Sequence, residues 1–297
     1  MQLRHGQAVA VMVAVTMMWS IAGMVTRHLE YASSFELTFW RSFFTALALL
    51  VILPLVQGRA VWRTLRGAGV SFWVSGVCWS VMFTAFMVAL TLSSVGNVLV
   101  TLAIGPLFTA LLARVTIGHH IALRTWCAIA VAGIGIAWMF GSQFSAGQWA
   151  GSLVALCVPI AGAINWTVTQ RAHARGLDID LVPAVLAGAV ISAALTLPLA
   201  WPLQASAHDV GLLALLGVVQ LAIPCALAVV CARVLKAPEV SLLALLEVIF
   251  GIAFAWLGAN EAPSPQVLTG GTLVIGALVV NEWLGWRQRP AAAQPQA

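Results

Sequence analysis

Ten stretches of this 297-residue chain are each about twenty residues long and almost wholly apolar, and only short turns separate them. A bilayer core about 30 Å thick takes roughly twenty helical residues to cross, and it leaves no backbone N–H or C=O unpaired. A chain written this way is expected to fold as an all-α integral membrane protein, multi-pass, with ten transmembrane helices. The runs read as about 8–27, 35–57, 69–91, 95–115, 121–141, 147–170, 181–202, 209–231, 238–257 and 265–285. Composition agrees, since 62% of residues are hydrophobic and only 8% charged, against about 25% charged in soluble domains. The loops leave no room for a separate soluble domain.

Charge sets the orientation. If the N-terminus is cytoplasmic, the inside loops collect twelve of the fourteen basic residues, Arg59, Arg63, Arg66, Arg233 and Lys236 among them. Glu30, Glu36, Asp209 and Glu261 then fall on the outer side. Lys and Arg are enriched on cytoplasmic loops, so both termini are expected inside, in the cell inner membrane. The net charge of +5 is thus topological and implies no nucleic-acid partner. The five cysteines lie in apolar runs without metal-ligand spacing and read as small core hydrophobes.

Ten crossings divide into five and five, and an odd-numbered half repeated in tandem inserts upside down. VGNVLVTLAIGPLFTALLA (95–113) lies over APEVSLLALLEVIFGIAFA (237–255) at an offset of 142, with small or apolar residues in nearly all the same places. The expected organisation is a first repeat over 1–143, an inverted second repeat over 144–286, and a disordered cytoplasmic tail over 287–297 rich in Pro, Ala and Gln.

Polar residues inside membrane spans face a bundle interior or a watery cavity. Asn97, Thr101, Gly105 and Thr109 recur every four residues, and Thr16, Ser20, Gly23 and Arg27 share one face of the first span. The eighth span places Gly217 and Gln220 on one face, and the sixth places Gly162, Asn165, Trp166 and Thr169. Helix packing explains such stripes as well as a cavity does. Of thirteen tryptophans, most sit near span ends, where amphipathic rings settle. Trp19, Trp79 and Trp166 lie deeper, with Met82 one turn beyond Trp79. An indole at that depth needs a partner for its N–H, or a cavity. The candidate substrate-binding residues are therefore Trp19, Ser20, Trp79, Met82, Asn97, Thr101, Asn165, Trp166 and Gln220.

Two charges stand inside the spans. Glu247 sits at the midpoint of the ninth, in LLALLEVIFGIAF (242–254), with Ala244 and Gly251 on its face. A charged carboxylate there costs on the order of 3 kcal/mol, so it is either a coupling acid, with protons as the coupling ion, or a hydrogen-bonded acid that locks the ninth helix to a neighbour. Arg41 lies about five residues inside the second span, close enough to snorkel outward or pair with Glu36, or to bind a carboxylate near the outer mouth. No Lys or Arg is expected at mid-depth, which argues against phosphorylated cargo.

No nucleophile triad, glycine-rich nucleotide loop or P-loop occurs, so neither an enzyme nor an ATP-driven pump is indicated. No cofactor is expected, and His119-His120, with no third ligand nearby, reads as a solvated pair rather than a metal site. MMWSIAGMVTRHLE, LTFWRSFFTALALL, SSVGNVLVTLAIGPLFTALLAR, INWTVTQRAHARG and APEVSLLALLEVIFGIAFAWLGANE together resemble the ten-span branch of the drug/metabolite transporter superfamily, with its paired EamA-type repeats. More narrowly, the chain is similar to bacterial exporters of aromatic and other neutral amino acids of the YddG type. The resemblance implies a secondary transporter exporting amino acids or similar small metabolites by alternating access. Lipophilic cations or drugs and nucleotide-linked metabolites are the alternative cargoes, and a membrane-embedded enzyme or structural subunit is the alternative role. The chain departs from the family pattern at Gly118-His119-His120 and at Val248, where a proline often follows the glutamate. The second departure implies a straighter ninth helix.

Overall fold

Backbone groups that lipid cannot satisfy must be paired within their own segment, and this chain pairs them in helices. The computed structural model describes residues 3–26, 28–30, 33–58, 60–92, 95–117, 122–140, 149–174, 180–259 and 265–287, and no strand occurs among them. In chain order the helices are α1 (His5–Trp19), α2 (Ile21–Thr26), α3 (Ser34–Gln57), α4 (Ala60–Arg66), α5 (Val70–Leu92), α6 (Val95–Leu102), α7 (Gly105–Ile117) and α8 (Leu123–Phe140). They continue with α9 (Trp149–Ala174), α10 (Val182–Ala200), α11 (Ala207–Leu215), a π-helical segment (Leu216–Ala222), α12 (Ile223–Cys231), α13 (Ala237–Ala244), α14 (Leu246–Ala259) and α15 (Pro265–Arg287).

Seven stretches are helical, long and apolar enough to cross a membrane: His5–Thr26, Ser34–Gln57, Val70–Leu92, Leu153–Ala172, Val182–Ala200, Ala207–Cys231 and Ala237–Gly258. The other three apolar runs fall on the broken pair α6 and α7, on α8 and on α15, and the last two carry the shorter apolar stretches Leu123–Gly135 and Leu268–Asn281. Helix α4, with Arg63 and Arg66 in its last turn, occupies what reads as a turn in the sequence. His119, His120, Arg27 and the 288–297 tail lie outside the described residues.

Four of the apolar runs are not continuous α-helices, and chemistry explains three of the breaks. Pro106 has no N–H to give and its ring crowds the preceding turn, so α6 ends and α7 begins across Ala103-Ile104. Pro224 has the same effect on α11, and the chain absorbs the missing donor by widening to a π-turn over Leu216–Ala222, with Ile223 N–H bonding Val218 O. Ser20 separates α1 from α2, and its hydroxyl donates to Thr16 O at 2.7 Å in a back-bond that bends helices. The fourth break corrects the expectation of a straight ninth helix: α13 stops at Ala244 and α14 starts at Leu246 without a proline. Tight i to i+3 bonds from Leu245 N to Leu242 O and from Val248 N to Leu245 O carry the chain through. The Ser20 hydroxyl, 227 residues away in sequence, donates to Glu247 O at 2.9 Å just beyond.

Packing then places these breaks side by side. Helix α5 lies against α9 and α10, α3 against α10 and the π-segment, α1 against α12, and α8 against α15. Two glycines set the closest approaches. A Cβ on Gly188 would lie 2.4 Å from Trp79 Cβ, and one on Gly217 would lie 2.7 Å from both Arg41 O and Phe44 Cβ. In lipid, such close backbone contact is a main source of helix association. At their N-terminal ends α3 and α11 hold each other's loops: Glu36 accepts from Gln204 N and Ala205 N at 2.8 and 2.7 Å, while Asp209 accepts from Glu30 N at 3.0 Å. Cys78, Cys225 and Cys231 are buried as expected, but Cys127 and Cys157 are exposed on the helix surface, which for a membrane helix is an apolar setting and equally tolerant of a thiol.

Candidate functional site

The breaks converge on a single cavity holding about 930 Å3 of empty space, its open mouth included. Ala103, Gly105 and Pro106 line it from the α6–α7 break, Leu245 and Glu247 from the α13–α14 break, Trp19 from the end of α1, and Gln220 from the π-segment. Interrupted helices leave backbone and side chains free to face a ligand, and membrane proteins tolerate irregular backbone only where it is protein-buried or lines such a space.

One wall is aromatic. Trp79 and Trp166 meet edge to face, with ring centroids 5.6 Å apart and planes at 87°, a geometry that suits their quadrupoles. Gly188 lets α10 come close beneath Trp79, and the indole is fixed between Phe83 and Trp166. Gly162 keeps a bay open beside them, since a Cβ there would lie 3.6 Å from Met82 Sδ and 3.8 Å from Trp166 Nε1. Trp79 Nε1 is buried and has no acceptor.

The polar side of the cavity is built around Arg41, and two of the roles the sequence offered for it fall away while the third, binding a carboxylate, stays open. Arg41 neither snorkels out nor pairs with Glu36, and a cation does line the cavity. Glu36 is held by the two backbone N–H groups before α11 and by Trp40 Nε1, so it faces away from Arg41. The Arg41 guanidinium is 1% exposed and lines the cavity. Its Nη2 donates to Phe83 O at 2.7 Å and its Nη1 to Gln220 Oε1 at 3.4 Å. Gln220 is held in turn by donating Nε2 to Trp19 O at 3.4 Å. Phe86 lies beneath the guanidinium, its centroid 5.7 Å away, within cation–π range. The signal for Arg41 was the one that singled out Glu247, a full charge inside an apolar run.

Glu247 is half-buried and lines the cavity. Among the described residues no side chain bonds its carboxyl and no ion pair reaches it. The link from its helix to a neighbour runs through its backbone carbonyl, which Ser20 caps.

The structure brings Trp19, Trp79, Met82, Trp166, Gln220 and Glu247 together around this cavity. It places three other candidates elsewhere. Ser20 is buried and spends its hydroxyl on Thr16 O and Glu247 O. Asn165 is buried behind the wall, where its Oδ1 accepts from Ser75 at 2.6 Å. Thr101 is buried and does not line the cavity. Helix spacing gives a face but not which neighbour covers it, and for these three α-helical packing covers it. Asn97 lies on α6, with its side chain outside the described residues. Sequence reasoning missed Ser241, which meets Thr109 at 2.6 Å between their hydroxyl oxygens at the cavity edge. Among the described residues no group of His, Cys, Asp and Glu could hold a metal ion.

An EamA-like transporter family domain is found over residues 6–141. A crystal structure described simply as that of a protein has the same fold, with a TM-score of 0.78, 16% identity, and coverage of 96% of this chain and 99% of that one. No curated protein matches the chain in sequence. The EamA-like domain in the first part of the chain and the seven helices long and apolar enough to cross a membrane mark a multi-pass membrane protein.

Proposed function

We propose that the protein is a secondary transporter that exports small organic metabolites, amino acids foremost, across the bacterial inner membrane by alternating access. The observation that carries this reading is one cavity at which four interrupted helical runs meet, contributed by both halves of the chain. Its aromatic and apolar wall suits a side chain such as that of a neutral amino acid, and the Gln220 amide is among its polar lining groups.

Ten crossings in two inverted repeats with both termini cytoplasmic are part of the proposal. Helix ends support it: α6 stops at Leu102 and α13 at Ala244, 142 residues apart, and a new helix starts within three residues of each. Both breaks therefore fall at one register position of a repeated unit. Packing supports it too, since α5 against α9 has its counterpart in α12 against α1. With five crossings per half, the second half inserts inverted, and rocking of one half against the other opens the cavity to each side in turn. The Thr109 to Ser241 contact joins α7 to α13, one from each half, where α7 leaves and α13 enters the cytoplasmic side in this topology.

The test is counterflow in liposomes preloaded with unlabelled amino acids. Purified protein is expected to take up labelled aromatic and neutral amino acids, and Trp19→Ala, Trp79→Ala and Gln220→Ala are each expected to slow uptake about tenfold. Wild-type rates in all three variants would remove this cavity as the substrate site.

A further inference from the structure

Arg41 is among the largest fully buried side chains, yet its hydrogen-bond and ring partners among the described residues are neutral. Two of its donors reach one carbonyl and one amide oxygen, its third neighbour is the Phe86 ring, and its buried Nε–H has no acceptor. A guanidinium keeps its proton and carries five donors, so a buried one with two acceptors and no counter-ion is under-satisfied. Among the described residues no carboxylate lies within ion-pair distance of it, and Glu36, the acid on its own helix, instead takes the backbone N–H groups of Gln204 and Ala205 on its Oε1. The Glu247 carboxyl lines the same cavity, and among the described residues it has no hydrogen-bonding side chain and no ion pair with Arg41. A guanidinium and a carboxyl group thus line one cavity with bonding capacity unspent.

Resting on the transporter reading above, we propose that Arg41 is the carboxylate-recognising residue of the cavity and that Glu247 receives the substrate's ammonium group. The cargo class is then defined by charge: a molecule carrying a carboxylate and an ammonium a few bonds apart, with its apolar part against Trp79, Trp166 and Met82. The guanidinium is held for this role before substrate arrives. Phe83 O fixes Nη2, Gln220 fixes Nη1, and Trp19 O fixes Gln220, so the fork does not need to be ordered on binding. Gly217 brings the π-segment within contact of the Arg41 backbone, which is what lets Gln220 reach. A fork of parallel N–H donors matches the two oxygens of a carboxylate. A phosphate dianion calls for more than one cation, and Arg41 is the sole Lys or Arg among the described lining residues.

The probes are phenylalanine, phenylalanine amide, which lacks the carboxylate, and 3-phenylpropionate, which lacks the ammonium. Binding is measured calorimetrically on the purified full-length protein, and counterflow is measured in parallel. Wild type is expected to bind phenylalanine on the order of tenfold to hundredfold more tightly than the amide. Arg41→Gln is expected to bring that ratio to within about twofold, with Arg41→Lys between the two, because lysine keeps the charge but not the fork. Glu247→Gln is expected to weaken phenylalanine but not 3-phenylpropionate. A wild-type ratio near one, failure to bind any α-amino acid, or an undiminished ratio in Arg41→Gln would each overturn the proposal. If Arg41→Gln does not yield folded protein, the wild-type ratio and Arg41→Lys decide. Binding that depends on Arg41 without counterflow of any amino acid would sink the transporter reading and leave this assignment standing; counterflow without carboxylate preference would do the reverse.

Discussion

At the scale of single residues, two charges written into apolar runs turn out to share a cavity, and they differ in how much of that the sequence carried. Glu247 was legible as a special position because a carboxylate at the middle of a span is costly wherever it points. What it bonds to was not. As a lock, its carboxyl would need a hydrogen-bonding partner, and the structure gives that job to its backbone carbonyl through Ser20. Glu247→Gln is therefore expected to leave the melting temperature within about 2–4 °C of wild type, while an imposed pH gradient no longer accelerates transport. A large loss of stability would make the carboxyl a structural anchor after all, and retained pH drive would exclude it as the coupling acid. For Arg41 the sequence left three roles open, because distance from a span end says only how far a side chain must reach. Its real neighbours, Gln220 and Phe83, are brought to it by the packing of α3 on the π-segment and α5.

At the scale of elements, the helical runs were legible to within a few residues, since twenty apolar residues in lipid have little choice but to form a helix. The break at Ala103-Ile104 had a cue in Pro106, which removes a donor, though Pro54, Pro159 and Pro198 sit inside unbroken helices and so proline alone does not place a break. The break at Leu245 had no such cue: no residue there forbids a helix, and the long-range bond just beyond it, to Glu247 O, comes from Ser20 near the other end of the chain. Small residues in the stripes were equally ambiguous, for the same glycine serves close packing or an open bay. The structure separates them. Gly188 has backbone and Trp79 Cβ within 3 Å of where its own Cβ would be, whereas Gly162 has only ordinary van der Waals neighbours. Gly188→Ala is expected to cost about 1–3 kcal/mol or more by overpacking, lowering the melting temperature and the yield of folded protein. Gly162→Ala is expected to fold normally and to narrow the bay beside Met82, slowing transport of bulky amino acids more than that of alanine. Equal melting temperatures for the two variants, or equal slowing of large and small substrates by Gly162→Ala, would contradict these assignments.

At the scale of the whole molecule, the fold places broken helices from both halves around one space, and the offset of 142 residues recurs in helix ends as well as in the aligned sequence. The central claim is that the halves must part for cargo to pass. Thr109 and Ser241 touch between α7 and α13, one residue from each half, so a cross-link there bars loading from the cytoplasmic side in the proposed topology. The decisive measurement is amino-acid counterflow in liposomes by the Thr109→Cys, Ser241→Cys double variant in a background with the five native cysteines replaced. Oxidation is expected to abolish counterflow and reductant to restore it, with neither treatment affecting the cysteine-free parent. Full-rate counterflow by a completely cross-linked protein would show that the two halves need not separate at this contact, and the alternating-access account would fall.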